Sequence, residues 1–335
     1  MSVPSIAPRA DRVRAAQQLV ADRPAIVLTA ILVILLIATN VVSPGFIAPH
    51  QLSTTLLTAA ALGVLAAGQT IVMLTGGIDL SVANTATAAA YVMAQYGGHN
   101  GVGAVLAALA VGLLVGLING VGVGIFRVQP LIMTLGMIGI ITGVLTILAG
   151  GKDILGFSFA NGVPLIPDPV HQLGSGFVVG YVPLNVLLVW APVSAAIILG
   201  LRFSGLGRTI YAVGDNPVAC RLAGVRVWQV LLTSYTICGF LSAVSGILFV
   251  GLSNAADLSL VVPYLLPSVA AVVIGGTSIL GGTGGYGGTI LGALILTVLD
   301  SLLTLLNASQ AVRQVLYGAI ILALAAIYAR ISGAE

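Results

Sequence analysis

The sequence has very few charged residues. Aspartate, glutamate, lysine and arginine make up 6% of its 335 residues, whereas about a quarter of the residues in a soluble domain are charged. Because 59% of the residues are hydrophobic, the chain cannot cover itself with a water-soluble surface. The composition therefore excludes a soluble globular protein and predicts one that lives in a membrane.

The residue patterns of several chemistries are also missing. The two cysteines, Cys220 and Cys238, lie 18 residues apart, one in a polar and one in an apolar segment, which argues against a disulfide and excludes CxxC metal spacing. The basic residues form no patch with interleaved aromatics, so nucleic-acid binding is excluded. Serine, threonine, histidine and aspartate form no nucleophile arrangement, and the three histidines, His50, His99 and His171, fall in predicted outer loops, where we expect them to be solvated. We expect no enzyme activity, metal or cofactor in this chain.

Long apolar runs dominate the sequence instead. A helix needs roughly 20 apolar residues to cross about 30 Å of hydrocarbon, and runs such as 25–42 and 102–126 provide them. The sequence predicts an all-α polytopic membrane protein with a leader at 1–24, a membrane domain at 25–330 and a tail at 331–335. The ten predicted spans are 25–42, 52–75, 80–97, 101–126, 130–149, 183–201, 228–252, 264–280, 286–306 and 312–330.

The distribution of lysine and arginine predicts the orientation of these spans, since both residues favour cytoplasmic loops. With both termini cytoplasmic, only Lys152 and Arg313 lie outside. The largest outer loop is then 150–182 and the largest inner loop is 202–227. The ten basic residues predicted inside are Arg9, Arg12, Arg14, Arg23, Arg127, Arg202, Arg208, Arg221, Arg226 and Arg330.

The inner loop contains the signals of a short helix. Asp215 or Asn216 can cap it, Pro217 suits its first position and Gly224 ends it. A short capped helix between two rigid spans suits docking against a soluble partner, because the spans already restrict its freedom. A solvated connector is the alternative interpretation. The charged residues of this short helical segment are Arg221 and Arg226.

The stretch IVMLTGGIDLSVANTATAAA (71–90) combines an apolar segment with Gly76, Gly77 and a carboxylate. Within a bilayer, a broken helix is tolerated only where it is buried in protein or lines a watery cavity. Asp79 and Ser81 follow the glycines at the start of the next helical run, where a side-chain oxygen can cap free N–H groups. Asp79 is therefore predicted to cap an interrupted helix, either as a structural element or along a translocation path.

A second glycine-rich break, IGGTSILGGTGGYGG (274–288), includes Gly275, Gly276 and Thr277. The glycine pairs of the two breaks lie 199 residues apart in this alignment, which hints at duplication. The span count gives both breaks the same orientation.

Asp300 is predicted near the outer end of its span, within reach of Arg313. An ion pair is the simplest explanation, and a contact with a transported solute or a proton relay is the alternative. Asn40, Gln69 and Asn119 are weaker candidates for bonding a solute hydroxyl, because such residues more often bond neighbouring helices.

Three motifs in order carry a family resemblance: GQTIVMLTGGIDLSV (68–82), GRTIYAVGDNPVACRLAGV (207–225) and AAVVIGGTSILGGTGG (270–285). They closely resemble the permease subunits of bacterial ABC importers of the ribose, xylose and galactose type, over nearly the whole chain beyond the leader. The resemblance implies an inner-membrane permease dimer of identical or paralogous copies, a separate ATPase that holds ATP and magnesium, and a periplasmic binding protein that delivers a sugar or polyol. Residues 216–224 would be the coupling helix.

Three rival functions remain at this stage. One is a permease of the branched-chain amino acid importers, which have a similar architecture. Another is an ion-coupled secondary transporter, for which only Asp79 and Asp300 supply intramembrane carboxylates. The third is a membrane scaffold, which the two glycine breaks argue against. The chain has no GxxxxGK[ST] phosphate loop, so ATP hydrolysis is expected in another polypeptide.

Overall fold

The computed structural model describes residues 24–149, 166–178 and 180–332, and within these ranges the protein is built from α-helices with no strand. A π-helical turn (Val186–Trp190) leads into α7, and a 3₁₀ turn (Val262–Tyr264) leads into α11. The helices are α1 (Pro24–Val42), α2 (Pro49–Leu74), α3 (Val82–Tyr96), α4 (Gly101–Gly124), α5 (Pro130–Leu148), α6 (Asp168–Ser175), α7 (Ala191–Phe203), α8 (Gly205–Asp215), α9 (Pro217–Leu222), α10 (Val227–Ser253), α11 (Leu265–Ile274), α12 (Tyr286–Leu305) and α13 (Gln310–Ser332).

Seven helices in the described ranges are long and apolar enough to cross a membrane, which confirms an all-α polytopic membrane protein. The other three predicted spans correspond to α3, α11 and α13. Helix α3 has 15 residues and α11 has 10, because the two glycine breaks take up the adjoining chain. The predicted span 264–280 is wrong at its end, since α11 stops before Gly275.

Two helices were not predicted. Helix α6 lies within the predicted outer loop 150–182 and packs on the end of α10, and α8 lies within the predicted inner loop 202–227. The rest of the outer loop at 150–165, the leader and Lys152 lie outside the described residues. His171 on α6 was predicted to be solvated, which is wrong: it is half-buried and its Nδ1 lies 2.8 Å from the carbonyl oxygen of Gly251.

Helices α2 and α10 form the centre of the molecule, whereas α1 lies on the periphery along α12. Small residues such as Ala60 and Ala67 on α2 are fully buried, which lets neighbouring backbones approach closely. Trp190 Nε1 donates to Tyr286 Oη at 3.0 Å, and Tyr286 donates to the Gly63 carbonyl at 2.8 Å. These bonds join α2, the π-helical turn before α7 and the start of α12.

Glycines recur every fourth residue from 112 to 124, a spacing that predicts one small-residue face on a helix, and this glycine stripe brings α4 against α10. Gly112, Gly116, Gly120 and Gly124 each lie against backbone atoms of α10, so none of them has room for a side chain. The two cysteines are free and buried, in agreement with the absence of a disulfide.

We expect Gly116→Ala to lower the melting temperature of the detergent-solubilised protein, because its Cβ would overlap the Tyr235 carbonyl oxygen. Overpacking of this kind costs about 1–3 kcal/mol. The matched control is Gly139→Ala on α5, where no atom lies within 4 Å of the added Cβ. That change gains helix propensity of about 1 kcal/mol and should leave the melting temperature equal or higher. Equal losses in both variants would contradict the packing assignment.

Candidate translocation and coupling site

The first break follows α2 and is closed by a left-handed glycine. Gly76 has a φ of 80°. Its N–H donates to the Met73 carbonyl at 2.9 Å, and the N–H of Gly77 donates to the Val72 carbonyl at 3.2 Å. These bonds pair carbonyls of the last turn of α2, as a glycine C-cap does.

Asp79 fixes the chain between this break and α3. Its Oδ1 accepts hydrogen bonds from the Ser81 N–H at 2.8 Å and the Ser81 hydroxyl at 2.6 Å. The Asn119 amide donates to Ser81 Oγ at 2.9 Å and lies 3.5 Å from Asp79 Oδ2. Ser81 is the residue that precedes α3, so Asp79 accepts the N–H just before the helix rather than within it. The Asp79 side chain is 2% exposed and does not face open space in this conformation.

The second break follows α11 and repeats the geometry of the first. Gly276 has a φ of 87°, its N–H donates to the Val273 carbonyl at 3.0 Å, and the Thr277 N–H donates to the Val272 carbonyl at 3.1 Å. Gly276 therefore corresponds to Gly76, and the offset is 200 residues rather than the 199 obtained by aligning the glycine pairs. Gly275 continues the turn of α11.

Each break also has one polar side chain that holds the start of the following helix. Thr277 Oγ1 accepts from the Gly285 N–H at 3.3 Å, and Gly285 immediately precedes α12. Asp79 does the same for Ser81 before α3. The two breaks therefore share a left-handed glycine and a side-chain acceptor, although one acceptor is a carboxylate and the other a hydroxyl.

The two breaks lie against each other. The Gly282 N–H donates to the Leu74 carbonyl at 3.0 Å, which joins the loop after α11 to the end of α2. A Cβ on Gly76 would lie 3.1 Å from the Leu280 carbonyl oxygen, and one on Gly281 would lie 2.7 Å from the Gly76 nitrogen. The backbone of each break thus packs on the other with no side chain between them.

The end of α8 completes this arrangement. The Gly214 backbone abuts the Leu74 carbonyl, and a Cβ on Gly282 would lie 3.1 Å from Asp215 Cα. Tyr211 Oη donates to the Gly284 carbonyl at 2.9 Å, and burial raises the pKa of Tyr211, so the phenol remains protonated and can donate. We call residues 74–77, 214–215 and 280–284 the break junction.

Helix α9 directly follows the break junction and has the predicted caps. Asn216, rather than Asp215, is its N-cap: Asn216 Oδ1 accepts from the N–H groups of Val218 at 3.1 Å and Ala219 at 2.9 Å. Asp215 is the last residue of α8. Pro217 is the first residue of α9, and Gly224 after it has a φ of 83°.

The exposed side of α9 is apolar as well as basic. Leu222 is 86% exposed and Val218 is 55% exposed, and both Arg221 and Arg226 are exposed. The residues exposed on α9 and on the turn after it therefore include both apolar and basic side chains.

Asp300 and Arg313 form the predicted ion pair, with Arg313 Nη1 3.2 Å from Asp300 Oδ1. Tyr317 Oη donates to the same carboxylate oxygen at 2.8 Å, a contact that charge spacing alone did not predict. This is the single ion pair in the described ranges. Asp300 and Arg313 also line a cavity of about 270 Å³ with Thr297.

Of the three weaker polar candidates, two have hydrogen-bond partners and one has none among the described residues. Asn40 Oδ1 accepts the Gly45 and Ile47 N–H groups, and Asn119 bonds Ser81, so both stabilise local structure. Gln69 is buried, and neither polar atom of its side chain has a partner in the described part of the chain. The contact of Tyr211 was not predicted, although Tyr211 lies inside the motif 207–225, because no sequence pattern distinguishes a tyrosine that bonds a distant carbonyl.

Paired helix breaks, a short capped helix and many apolar spans are the features of a multi-pass membrane protein. The chain belongs to the family described as branched-chain amino acid transport system, permease component, which it matches over residues 51–325. All three quoted motifs fall inside this match.

The chain is also similar to individual curated permeases. The chain is 35% identical to the ribose import permease of Escherichia coli over 303 residues, covering 87% of this chain and 89% of the relative. It is 32% identical to the fructose import permease of Rhizobium meliloti over 320 residues (93% and 87%) and 32% identical to the autoinducer 2 import system permease of Escherichia coli over 303 residues (88% and 84%). No solved structure matches the chain. The protein is a permease component of an ABC importer in the inner membrane.

We expect Asp79→Ala to lower both stability and transport, because it leaves the Ser81 N–H and hydroxyl unpaired in a buried site, at about 1–3 kcal/mol. Asp79→Asn keeps an acceptor oxygen and should lose less. The matched control is Asp257→Ala, since Asp257 and Ser259 repeat both bonds at 2.6 Å in a half-buried loop. Thermal unfolding and uptake measure the effects. Wild-type behaviour of Asp79→Ala at normal expression would contradict the assignment.

The Asp300–Arg313 pair predicts non-additive losses in a double-mutant cycle. Arg313→Ala, Asp300→Ala and the double variant should show a coupling energy of up to about 1 kcal/mol, as expected for partly exposed pairs. Uptake and thermal unfolding are both measured. Additive losses would mean that the two side chains act independently.

Proposed function

We propose that this chain is the permease subunit of an importer for a monosaccharide or related polyol, in which a separate ATPase docks on α9. The break junction is the observation that supports this proposal. It joins the end of α8, one residue before the α9 cap, to both helix breaks through backbone contacts. A movement of α9 relative to the membrane helices would therefore act on both breaks together.

The distribution of arginines indicates how the chain is oriented in the membrane in this proposal. Among the described side chains, five arginines (127, 202, 208, 221 and 226) lie at the end of the bundle that holds the break junction, and Arg313 lies at the other end with Asp300. Since basic residues favour the cytoplasm, α9 faces the cytoplasm in this proposal and both termini lie there. The ATPase then meets the exposed Leu222 and Val218.

The outer end is where a binding protein would deliver cargo. In this proposal α6 and the surrounding residues 150–182 meet that protein, and two permease copies, identical or paralogous, enclose the path between them. Binding and hydrolysis of ATP in the partner would alternate the access of this path. The side chains of this chain would hold the breaks and transmit movement, while the partner supplies ATP, magnesium and hydrolysis.

The substrate class rests on the relatives. The names of two of them specify sugars, ribose and fructose, and their similarity covers most of this chain. The family description instead names branched-chain amino acids, which makes an amino acid importer the second candidate. Reconstituted uptake of labelled ribose and fructose against labelled leucine separates the two.

The function is tested by placing the chain in vesicles with its cognate ATPase and binding protein. We expect uptake only when ATP is present on the side of the membrane that α9 faces. Uptake by the chain alone, driven by a proton or sodium gradient, would overturn the proposal and favour an ion-coupled transporter.

We expect Gly282→Ala to uncouple ATP hydrolysis from transport. The added methyl meets Asp215 at a φ of 75°, so the junction must shift by several tenths of an ångström. ATPase binding should persist while the ratio of sugar transported to ATP hydrolysed falls several-fold.

Gly45→Ala is the control for this change. Gly45 also has a positive φ, 97°, but no atom lies within 4 Å of its added Cβ. Gly45→Ala therefore introduces the same kind of backbone strain as Gly282→Ala but makes no contact with the break junction. An unchanged ratio in Gly282→Ala, or an equal fall in Gly45→Ala, would contradict the role of the break junction.

A further inference from the structure

A basic cavity lies beside the break junction, at the end of the bundle that holds α9. Its volume is about 400 Å³, within the range of small-molecule sites. It is enclosed by the turn between α4 and α5, the turn between α9 and α10, and the first helix break. Its polar and charged lining includes Thr75, Arg127, Gln129, Arg221, Arg226 and Tyr235.

Among the residues that the structure describes, no acidic side chain lines this cavity beside its three arginines. Arg127, Arg221 and Arg226 are exposed, and none forms an ion pair within the described ranges. Neither Asp79 nor Asp215 lines the cavity. Three guanidinium groups around one opening repel one another unless an anion lies among them.

Arg127 is held in an unusual backbone conformation. Its φ is 56°, a left-handed geometry that non-glycine residues rarely adopt and that clusters at functional sites. The N–H of Val128 immediately after it donates to the Gly122 carbonyl at 3.0 Å, which fixes the turn. This turn places Arg127 at the cavity.

The cavity lies at the level where membrane helices begin and end. Helix α4 ends at Gly124 and α10 begins at Val227, and both residues line the cavity. Phe126 beside it is 73% exposed and Trp228 in its wall is 42% exposed. Aromatic residues with this exposure are typical of the interface between lipid tails and water.

We propose that this cavity binds the headgroup phosphate of an anionic phospholipid. Arginine matches phosphate geometry with paired hydrogen bonds, and basic pockets between membrane helices on the cytoplasmic side bind anionic headgroups. The cavity extends to Gly76 and Gly77, at the helix break, and opens beside exposed aromatic residues. A lipid headgroup reaches that level from the bilayer with its acyl chains still in hydrocarbon.

A bound headgroup would contact the first break directly. If the proposed function holds, an anionic lipid in the cavity would favour one arrangement of the break junction, and transport would depend on lipid composition. Lipid binding itself can be measured on the chain alone, without ATPase or substrate, so its failure is distinguishable from failure of the proposed function.

The test measures lipid binding to the purified full chain by native mass spectrometry, with phosphatidylglycerol and phosphatidylcholine compared. Phosphatidylglycerol should bind more tightly, and Arg127→Gln should weaken it about tenfold, the factor for a charge-assisted bond worth about 1.4 kcal/mol. Arg127→Lys should keep part of the affinity. Arg127 lies outside α9, so this variant leaves the proposed ATPase surface intact.

Arg208→Gln is the matched control. Arg208 lines a separate cavity at the same end of the bundle, with Arg202 and Tyr211, so it tests whether overall charge or this cavity matters. Equal weakening in both variants, equal binding of the two lipids, or displacement of the lipid by millimolar inorganic phosphate would each overturn the proposal. Monodispersity in size-exclusion chromatography confirms that each variant is folded.

Discussion

Every backbone N–H and C=O inside a bilayer needs a partner within the protein, because lipid tails supply none. This protein breaks two of its helices near one end of the bundle, and the break junction meets that requirement by pairing one break with the other. The Gly282 N–H satisfies the Leu74 carbonyl, and the left-handed Gly76 and Gly276 close their own helix ends. Because the buried Leu74 carbonyl at the end of α2 is paired by the loop after α11, separating the two breaks would leave this carbonyl unpaired.

The same constraint explains why the junction is made of glycine. At Gly214, Gly281 and Gly282, any side chain would meet backbone from another segment, so only glycine permits the close approach. The α8 end thereby contacts both breaks through main-chain atoms. In the proposed function, this backbone contact would pass a displacement of the short helix α9 on to both breaks.

Much of this arrangement was predictable from the sequence, because it depends on local signals. The fold class followed from composition, the glycine stripe on α4 from its spacing, the caps of α9 from Asn216, Pro217 and Gly224, and the Asp300–Arg313 pair from charges at opposed helix ends. Contacts across long separations were not predictable. The bond from Tyr211 to Gly284 joins residues 73 apart, and the lengths of α3 and α11 depend on where the breaks pair, which hydropathy does not encode.

Hydrogen–deuterium exchange of the break junction, followed by mass spectrometry on the assembled importer, tests the account most directly. We predict that nucleotide binding to the ATPase changes the exchange of peptides covering 74–80 and 275–285 together, and that a variant lacking the Asn216 cap loses both changes. If transport proceeds while exchange changes in one segment alone, or in neither, the two breaks do not move as one unit and the account is wrong.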